Sequence, residues 1–214
     1  MNPGYEPLLI NYTLEQVLQQ SLDFLQNLDR HLFLFLNGHY NSFFDFVMYW
    51  LSDKLIWAPL YVVLLVMMYY TYRKAFWYIL LLIALLITMT DQVSVMLFKD
   101  VFQRLRPCHE PELEGMVRTL YGKCGGSYGF ISSHACNTFG VAVFAGSILK
   151  IKYKWMLPAL LFWAAAISYS RVYLGVHYPG DILVGSIVGA LIGWFIVKLF
   201  RWIQLKQKTR GTEY

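Results

Sequence analysis

The sequence predicts an all-α integral-membrane bundle of five or six transmembrane helices, preceded by an amphipathic helix at the membrane interface. Three observations predict it. Of the 214 residues, 57% are hydrophobic and only 14% charged, a balance foreign to water-soluble domains. Four segments approach or exceed the length needed to cross a hydrocarbon core, which takes about 20 apolar residues. Basic residues gather at alternate connections between these segments. Five apolar helices rarely share one soluble domain, so a soluble helical core is the weaker reading.

Residues 1–53 form an amphipathic, interfacial region. Thr13-x-x-Gln16 resembles a capping box. Leu14, Val17, Leu18, Leu22, Leu25 and Leu28 then recur at helical spacing between Gln and Asp. This predicts an interfacial helix over residues 13–29. No cleavable signal peptide is expected, because Glu6 is present and no basic region precedes an apolar stretch. Residues 32–51 are aromatic but interrupted by Asn37-Gly38 and Asp45, favouring a re-entrant or interfacial helix over a sixth crossing.

Residues 54–205 form the transmembrane core. Its spans are 56–72, 76–98, 155–173 and 182–203, with a shorter helix over 134–149. That fifth segment is rich in small residues, as suits a helix buried among others. Residues 206–214 are a basic cytoplasmic tail.

The net charge of +5 is unevenly distributed. Arg73 and Lys74 share one turn, Lys150, Lys152 and Lys154 another, and Lys198, Arg201, Lys206, Lys208 and Arg210 finish the chain. If the helices alternate in direction, all of these lie on one face, which the positive-inside rule makes cytoplasmic. Three polar blocks fall at the opposite ends of the same helices. Lys99 follows the second span, His134 opens the third helix, Arg171 closes the fourth and His177 precedes the fifth. The site therefore faces outward, into a periplasm. Arg104, Arg118 and Lys123 are outward exceptions that leave the asymmetry intact.

The blocks hold a particular chemistry. His177 and Asp181 are four residues apart, so they share a face in one helical turn. A carboxylate on one ring nitrogen fixes the tautomer and frees the other for nucleophilic attack. Alone, such a pair is equally a capping interaction. Arg106 and Arg171 offer planar forks for phosphate oxygens and Lys99 a point charge, although each cation alone could merely snorkel. Ser132 and Ser133 precede a helix start, where free N–H groups favour an anion or are simply N-capped. His134 stands at the same helix mouth, suited to protonate a leaving oxygen. Together they describe a two-histidine, metal-free phosphoryl-transfer site.

The series Lys99-x6-Arg106-Pro107, then Ser132-Ser133-His134, then Ser170-Arg171-x5-His177-x3-Asp181 resembles the type-2 phosphatidate phosphatase family, which shares its site with vanadium haloperoxidases. The resemblance spans residues 54–201. It implies that His177 is the nucleophile forming a phosphohistidine, aligned by Asp181, with His134 as the acid. Lys99, Arg106, Ser132, Ser133 and Arg171 would cradle the phosphate, with no metal and no cofactor. The middle block departs from the family's Pro-Ser-Gly-His: Ile131 replaces the proline and Ser133 the glycine. A serine keeps the backbone N–H, but a glycine requirement for positive φ would disturb the turn.

The resemblance further implies a bacterial inner-membrane lipid phosphatase acting on a membrane phospholipid or isoprenoid phosphate. An outward site favours undecaprenyl diphosphate or lipid A phosphate over phosphatidylglycerol phosphate; the sequence does not separate the first two, and undecaprenyl diphosphate is preferred, with lipid A phosphate a close second, only as the more widespread task. A lipid phosphotransferase and a non-catalytic lipid-binding protein are the alternatives. Nucleic acid is not an expected partner, since the basic residues lie at membrane edges.

Three further features stand out. Asp91 lies within the second span on the face of Lys99, where a carboxylate either bonds neighbouring helices or supports the site. Asp181, Gly185, Gly189 and Gly193 share a stripe that permits close helix packing or, less simply, a dimer contact. Cys108 and Cys124 bracket the outward loop and form either a disulfide or two free thiols. His109 beside Cys108 lacks a second ligand pair for zinc.

Overall fold

The computed structural model describes residues 6–122 and 124–210, with side chains described over 15–122 and 124–207. The side chains of Thr13, Leu14, Lys208 and Arg210, and all of Lys123, lie outside the described residues. Among the described residues, seven helices of eleven residues or more follow in order. They are α1 (Glu6–Gly38), α2 (Ser42–Ser52), α3 (Ala58–Tyr72), α4 (Phe76–Gln92), α5 (Ser133–Leu149), α6 (Met156–Tyr173) and α7 (Pro179–Arg210). No β-strand occurs among the described residues; a single antiparallel bridge joins Leu105 to Tyr128.

The apolar spans of the sequence fall on α3 to α7 with most boundaries within three residues, but α4 proper ends at Gln92, not at 98, and α7 runs past 203 to Arg210. Among the described residues, two helical stretches are long and apolar enough to cross a membrane: Leu55–Phe102, which folds back on itself as α3 and α4, and Pro179–Gln207. Their apolar windows are only 28% and 33% buried inside the protein, so most of that surface requires another apolar medium. Ser133–Leu149 is apolar but shorter.

The N-terminal region differs from expectation. Helix is already present at Glu6 and continues to Gly38, so Thr13 lies inside α1 and does not start it. Nor does the helix stop at Asp29. Its last turns bury Phe33 edge-on to Tyr178, with ring centres 5.4 Å apart. Asn37, read as a breaker, is a clamp: its amide donates to the carbonyls of Tyr173 (2.9 Å) and Arg118 (3.0 Å), and its oxygen accepts from the Arg118 N–H (2.9 Å). Val17, Leu18, Leu22, Leu25 and Leu28 remain exposed. Residues 32–51 are not one helix, since α1 ends at Gly38 and Asn41 caps α2 by accepting from the Phe44 N–H at 2.9 Å. At 1.5 Å per residue, the eleven residues of α2 are about 16 Å long, too short for a crossing.

The centre of the bundle is the contact of α5 with α7. A Cβ added at Gly185, Gly189 or Gly193 would lie 2.7, 2.1 and 2.5 Å from the carbonyl oxygens of Ser132, Cys136 and Gly140. The stripe thus serves backbone-to-backbone packing within the chain. Leu86, Ile148, Leu160 and Ile196 belong to the core built around this contact. At one end of the bundle, the Tyr72 hydroxyl donates to the Ile148 carbonyl (2.7 Å) and its ring meets Phe200 at 5.1 Å. This brings the α3–α4 turn, the end of α5 and the far part of α7 together, and with them the basic residues of those segments.

Candidate active site

The opposite end collects the end of α4, the start of α5, the end of α6 and the turn into α7. Beyond Gln92, α4 changes to a π-helical turn over Val93–Lys99 and closes with Asp100–Phe102. Such turns recur at functional sites because they re-aim side chains. Here Lys99 Nζ donates to Ser133 Oγ at 2.7 Å, and the buried Ser94 hydroxyl shares that oxygen at 2.8 Å. Asp91, two turns earlier, accepts from Asn137 Nδ2 at 2.8 Å. Ser133 and Asn137 are one turn apart on α5, so Asp91 and Lys99 still face one helix, and Asp91 bonds a neighbouring helix as one of its two readings required.

Ser132 is the N-cap of α5, where its hydroxyl accepts from the Ala135 N–H at 3.4 Å. Its own N–H donates to the Asp181 carbonyl at 3.1 Å, tying the α5 start to α7. Ser133 is the first residue of the helix and is not among the positive-φ residues, so the glycine expected at this position is not required by the backbone. His134 follows in the first helical turn, within electrostatic reach of Arg171, Lys54, His177 and Arg106.

His177 and Asp181 are 1% and 0% exposed. His177 Nδ1 lies 3.3 Å from Asp181 Oδ2, which also accepts from the Tyr178 N–H at 3.0 Å. A carboxylate whose oxygens already accept from other donors leaves Nδ1 as the protonated nitrogen. Nε2 is then the bare one, 3.4 Å from Arg106 Nη1. Burial, followed by the charges of Arg106, Arg171 and Lys99, holds the His177 ring well below its ordinary pKa. The ring is therefore neutral and its Nε2 lone pair faces the Arg106 guanidinium. Arg106 is itself lowered by burial, which Asp181 opposes.

Two arginines around this nitrogen are incompletely satisfied. Nε of Arg106 and Nε of Arg171 are buried and, among the described residues, have no hydrogen-bond partner. Buried donors without acceptors are uncommon and costly, and an oxyanion between them would supply what is missing. Arg171 Nη1 donates to the hydroxyl of Ser52 at the end of α2. Of the eight residues singled out by sequence, Lys99, Arg106, Ser132, Ser133, His177 and Asp181 are linked by hydrogen bonds or chain adjacency, and Arg171 and His134 lie within electrostatic reach of them.

Sequence reasoning missed four residues of this neighbourhood. Arg104 bridges Asp181 and Asp29, at 2.8 Å to each. Ser52 and Ser94 hold Arg171 and Ser133. Arg104 carried a signal, two residues before Arg106, but Asp29, Ser52 and Ser94 meet the site only through the fold. Over the site, Cys108 and Cys124 are joined by a disulfide with Cα atoms 6.1 Å apart. Both sulfurs being bonded to one another, the adjacent His109 has no thiolate pair with which to hold a metal.

A family model described as the PAP2 superfamily matches residues 75–205. The lipid A 4'-phosphatase of Bacteroides thetaiotaomicron is 36% identical over 192 residues, covering 88% of this chain and 82% of the relative. The lipid A 4'-phosphatase of Porphyromonas gingivalis is 34% identical over 189 residues, covering 85% and 79%. An undecaprenyl-diphosphatase of Sulfolobus acidocaldarius is 36% identical over 72 residues, 34% of each chain. Among solved structures, the PAP2-type phosphatidylglycerolphosphate phosphatase of Bacillus subtilis superposes with a TM-score of 0.68 at 22% identity, covering 93% of this chain and 98% of that one. LpxE of Aquifex aeolicus superposes with a TM-score of 0.59 at 21% identity, covering 80% and 95%.

Proposed function

The chain belongs to the PAP2 superfamily and is a membrane lipid phosphatase, and from that premise we propose that it removes a phosphate monoester from lipid A at the periplasmic face of a bacterial inner membrane. The observation that carries the chemistry is the set of cations around His177, with two buried guanidinium N–H groups lacking an acceptor. The observation that favours lipid A is the pair of 4'-phosphatase relatives, each matched over about four-fifths of its length.

In the proposed sequence, Lys99, Arg106 and Arg171 bind the non-bridging phosphate oxygens, helped by N–H groups at the α5 start around Ser132 and Ser133. His177 Nε2 attacks phosphorus, forming a P–N bond as the P–O bond to the lipid breaks. His134 gives its proton to the departing lipid oxygen. Asp181 stabilises the cationic ring that results, through the Nδ1–H it already holds. Water, deprotonated by His134, then cleaves the P–N bond and releases phosphate. No step calls on a metal, because three side-chain cations take the charge that a metal would otherwise offset. The orientation follows from the basic turns at the other end of the bundle, and α1 lies at the interface through its exposed leucines.

A second substrate, undecaprenyl diphosphate, is favoured by the sequence reading and by the shorter Sulfolobus match. The two are separated by measuring phosphate release by purified protein with lipid A and with undecaprenyl diphosphate, in chelator, beside His177→Ala. Chelator-resistant release from lipid A, lost in the variant, is the expected result. Release from undecaprenyl diphosphate alone would reassign the substrate, and equal release by both proteins would remove His177 as nucleophile.

A further inference from the structure

Behind the His177–Asp181 pair lies a second pair of charges that the chemistry above does not use. Arg104 Nη1 donates to Asp181 Oδ1 at 2.8 Å, and Nη2 donates to Asp29 Oδ2 at 2.8 Å. Asp29 Oδ1 in turn accepts from the Gly180 N–H at 2.7 Å. The guanidinium lies over the Tyr178 ring, 4.0 Å from its centre, and the Tyr178 N–H is the one bound to Asp181 Oδ2. Residues 178, 180 and 181 are thus each held by this network, one end of which lies on α1.

We propose that Arg104 and Asp29 are positioning residues: they fix Asp181, and through it the His177 ring, in the orientation that attack on phosphate requires. The proposal rests on the reading of His177 as nucleophile. Arg104 differs from Arg106 and Arg171 in how its donors are spent. Both of its terminal nitrogens are committed to carboxylates, whereas those two keep a buried Nε without an acceptor. It is therefore not part of the phosphate cradle, although it lies two residues from Arg106.

The charge order also matters. Asp181 is fully buried, and Arg104 is the counter-charge bonded to it. Were Arg104 paired with Asp181 alone, it would offset the negative charge that the His177 ring needs when it becomes cationic. Asp29 draws part of the Arg104 charge to itself and leaves Asp181 its negative character. Space at this junction is tight: a Cβ on Gly180 would lie 2.7 Å from Asp29 Oδ2, so the glycine lets α1 approach the turn.

The test compares two inorganic anions on the full chain purified in detergent. Orthovanadate adopts a five-coordinate geometry and gains most of its affinity by bonding to a correctly aimed nucleophile. Inorganic phosphate needs only the cations. Arg104→Gln is expected to weaken orthovanadate binding by about 10–100-fold, the effect of losing a partner that orients a reactive ligand. Phosphate affinity should be unchanged, and kcat for lipid should fall while KM holds. Arg104→Lys should recover part of the loss. Asp29→Asn keeps the size of the side chain and leaves Arg104 in place; it should weaken orthovanadate selectively, and adding it to Arg104→Gln should do no further harm. Orthovanadate binding unchanged in both Arg104→Gln and Asp29→Asn, or parallel loss of both anions, would overturn the proposal. If His177→Ala bound orthovanadate as wild type does, the nucleophile assignment would fall, and this proposal with it.

Discussion

At the scale of single residues, the site couples protonation to folding through His177. The folded ring is held well below its ordinary pKa, whereas an unfolded histidine takes up a proton near pH 6.5. Below that pH the unfolded chain binds a proton that the folded chain refuses, so stability is full above about 6.5 and falls as the pH drops. The melting temperature should therefore decline from pH 7 to pH 5, with a shallower slope in His177→Asn. Ser133 gives a second residue-level prediction. It accepts from Lys99 and shares a bond with Ser94, so Ser133→Gly removes a lysine anchor while keeping the backbone N–H. The expected loss in kcat/KM is about 1 kcal/mol, or fivefold, readable from initial rates. Chemistry-bearing residues were legible in the sequence because phosphate chemistry restricts their identity and spacing. Their partners were not. Nothing local marks Ser52 as the acceptor for Arg171, because the two are 119 positions apart.

At the scale of elements, the long apolar helices could be read almost to their ends, since basic turns and a capping serine bound them. The π turn in α4 could not, because its i→i+5 bonds leave no distinct residue pattern. Its effect is visible only in where Lys99 arrives. The N-terminal helix was misread in extent because Asn37-Gly38 and Asp45 carry turn propensity that tertiary contacts redirect. Asn37 binds backbone groups of two other segments, and Asp45 accepts both Arg118 nitrogens, at 2.9 and 2.6 Å. The glycine stripe was read correctly, with packing as its use. Gly189→Ala would place a methyl 2.1 Å from the Cys136 carbonyl oxygen, so α5 and α7 must separate. It should destabilise by about 1–3 kcal/mol, seen as a lower melting temperature in detergent. A parallel loss of activity should follow, since Ser132 and Asp181 stand on these two helices.

At the scale of the whole molecule, the helices hold two ends apart: one basic, the other carrying the site. The loop over the site is closed by the disulfide Cys108–Cys124, sixteen residues apart. Closing a loop of that size stabilises by about 3 kcal/mol in the chain-entropy model. Mild reduction should lower the melting temperature without removing a catalytic group, so activity measured well below the new midpoint should persist. The end-to-end plan was legible from charge alone. How α1 reaches the site was not, because it depends on Asp29 meeting Gly180 across 151 positions.

The central claim is a metal-free transfer of phosphate through His177, and trapping the intermediate tests it most directly. Purified protein would be mixed with lipid A labelled in its phosphates, in chelator, and stopped in alkaline denaturant, which preserves a P–N bond. Label bound to wild-type protein, released by brief acid treatment and absent from His177→Ala, is the expected result. Rapid hydrolysis with no label on the wild type, or equal label on His177→Ala, would contradict it.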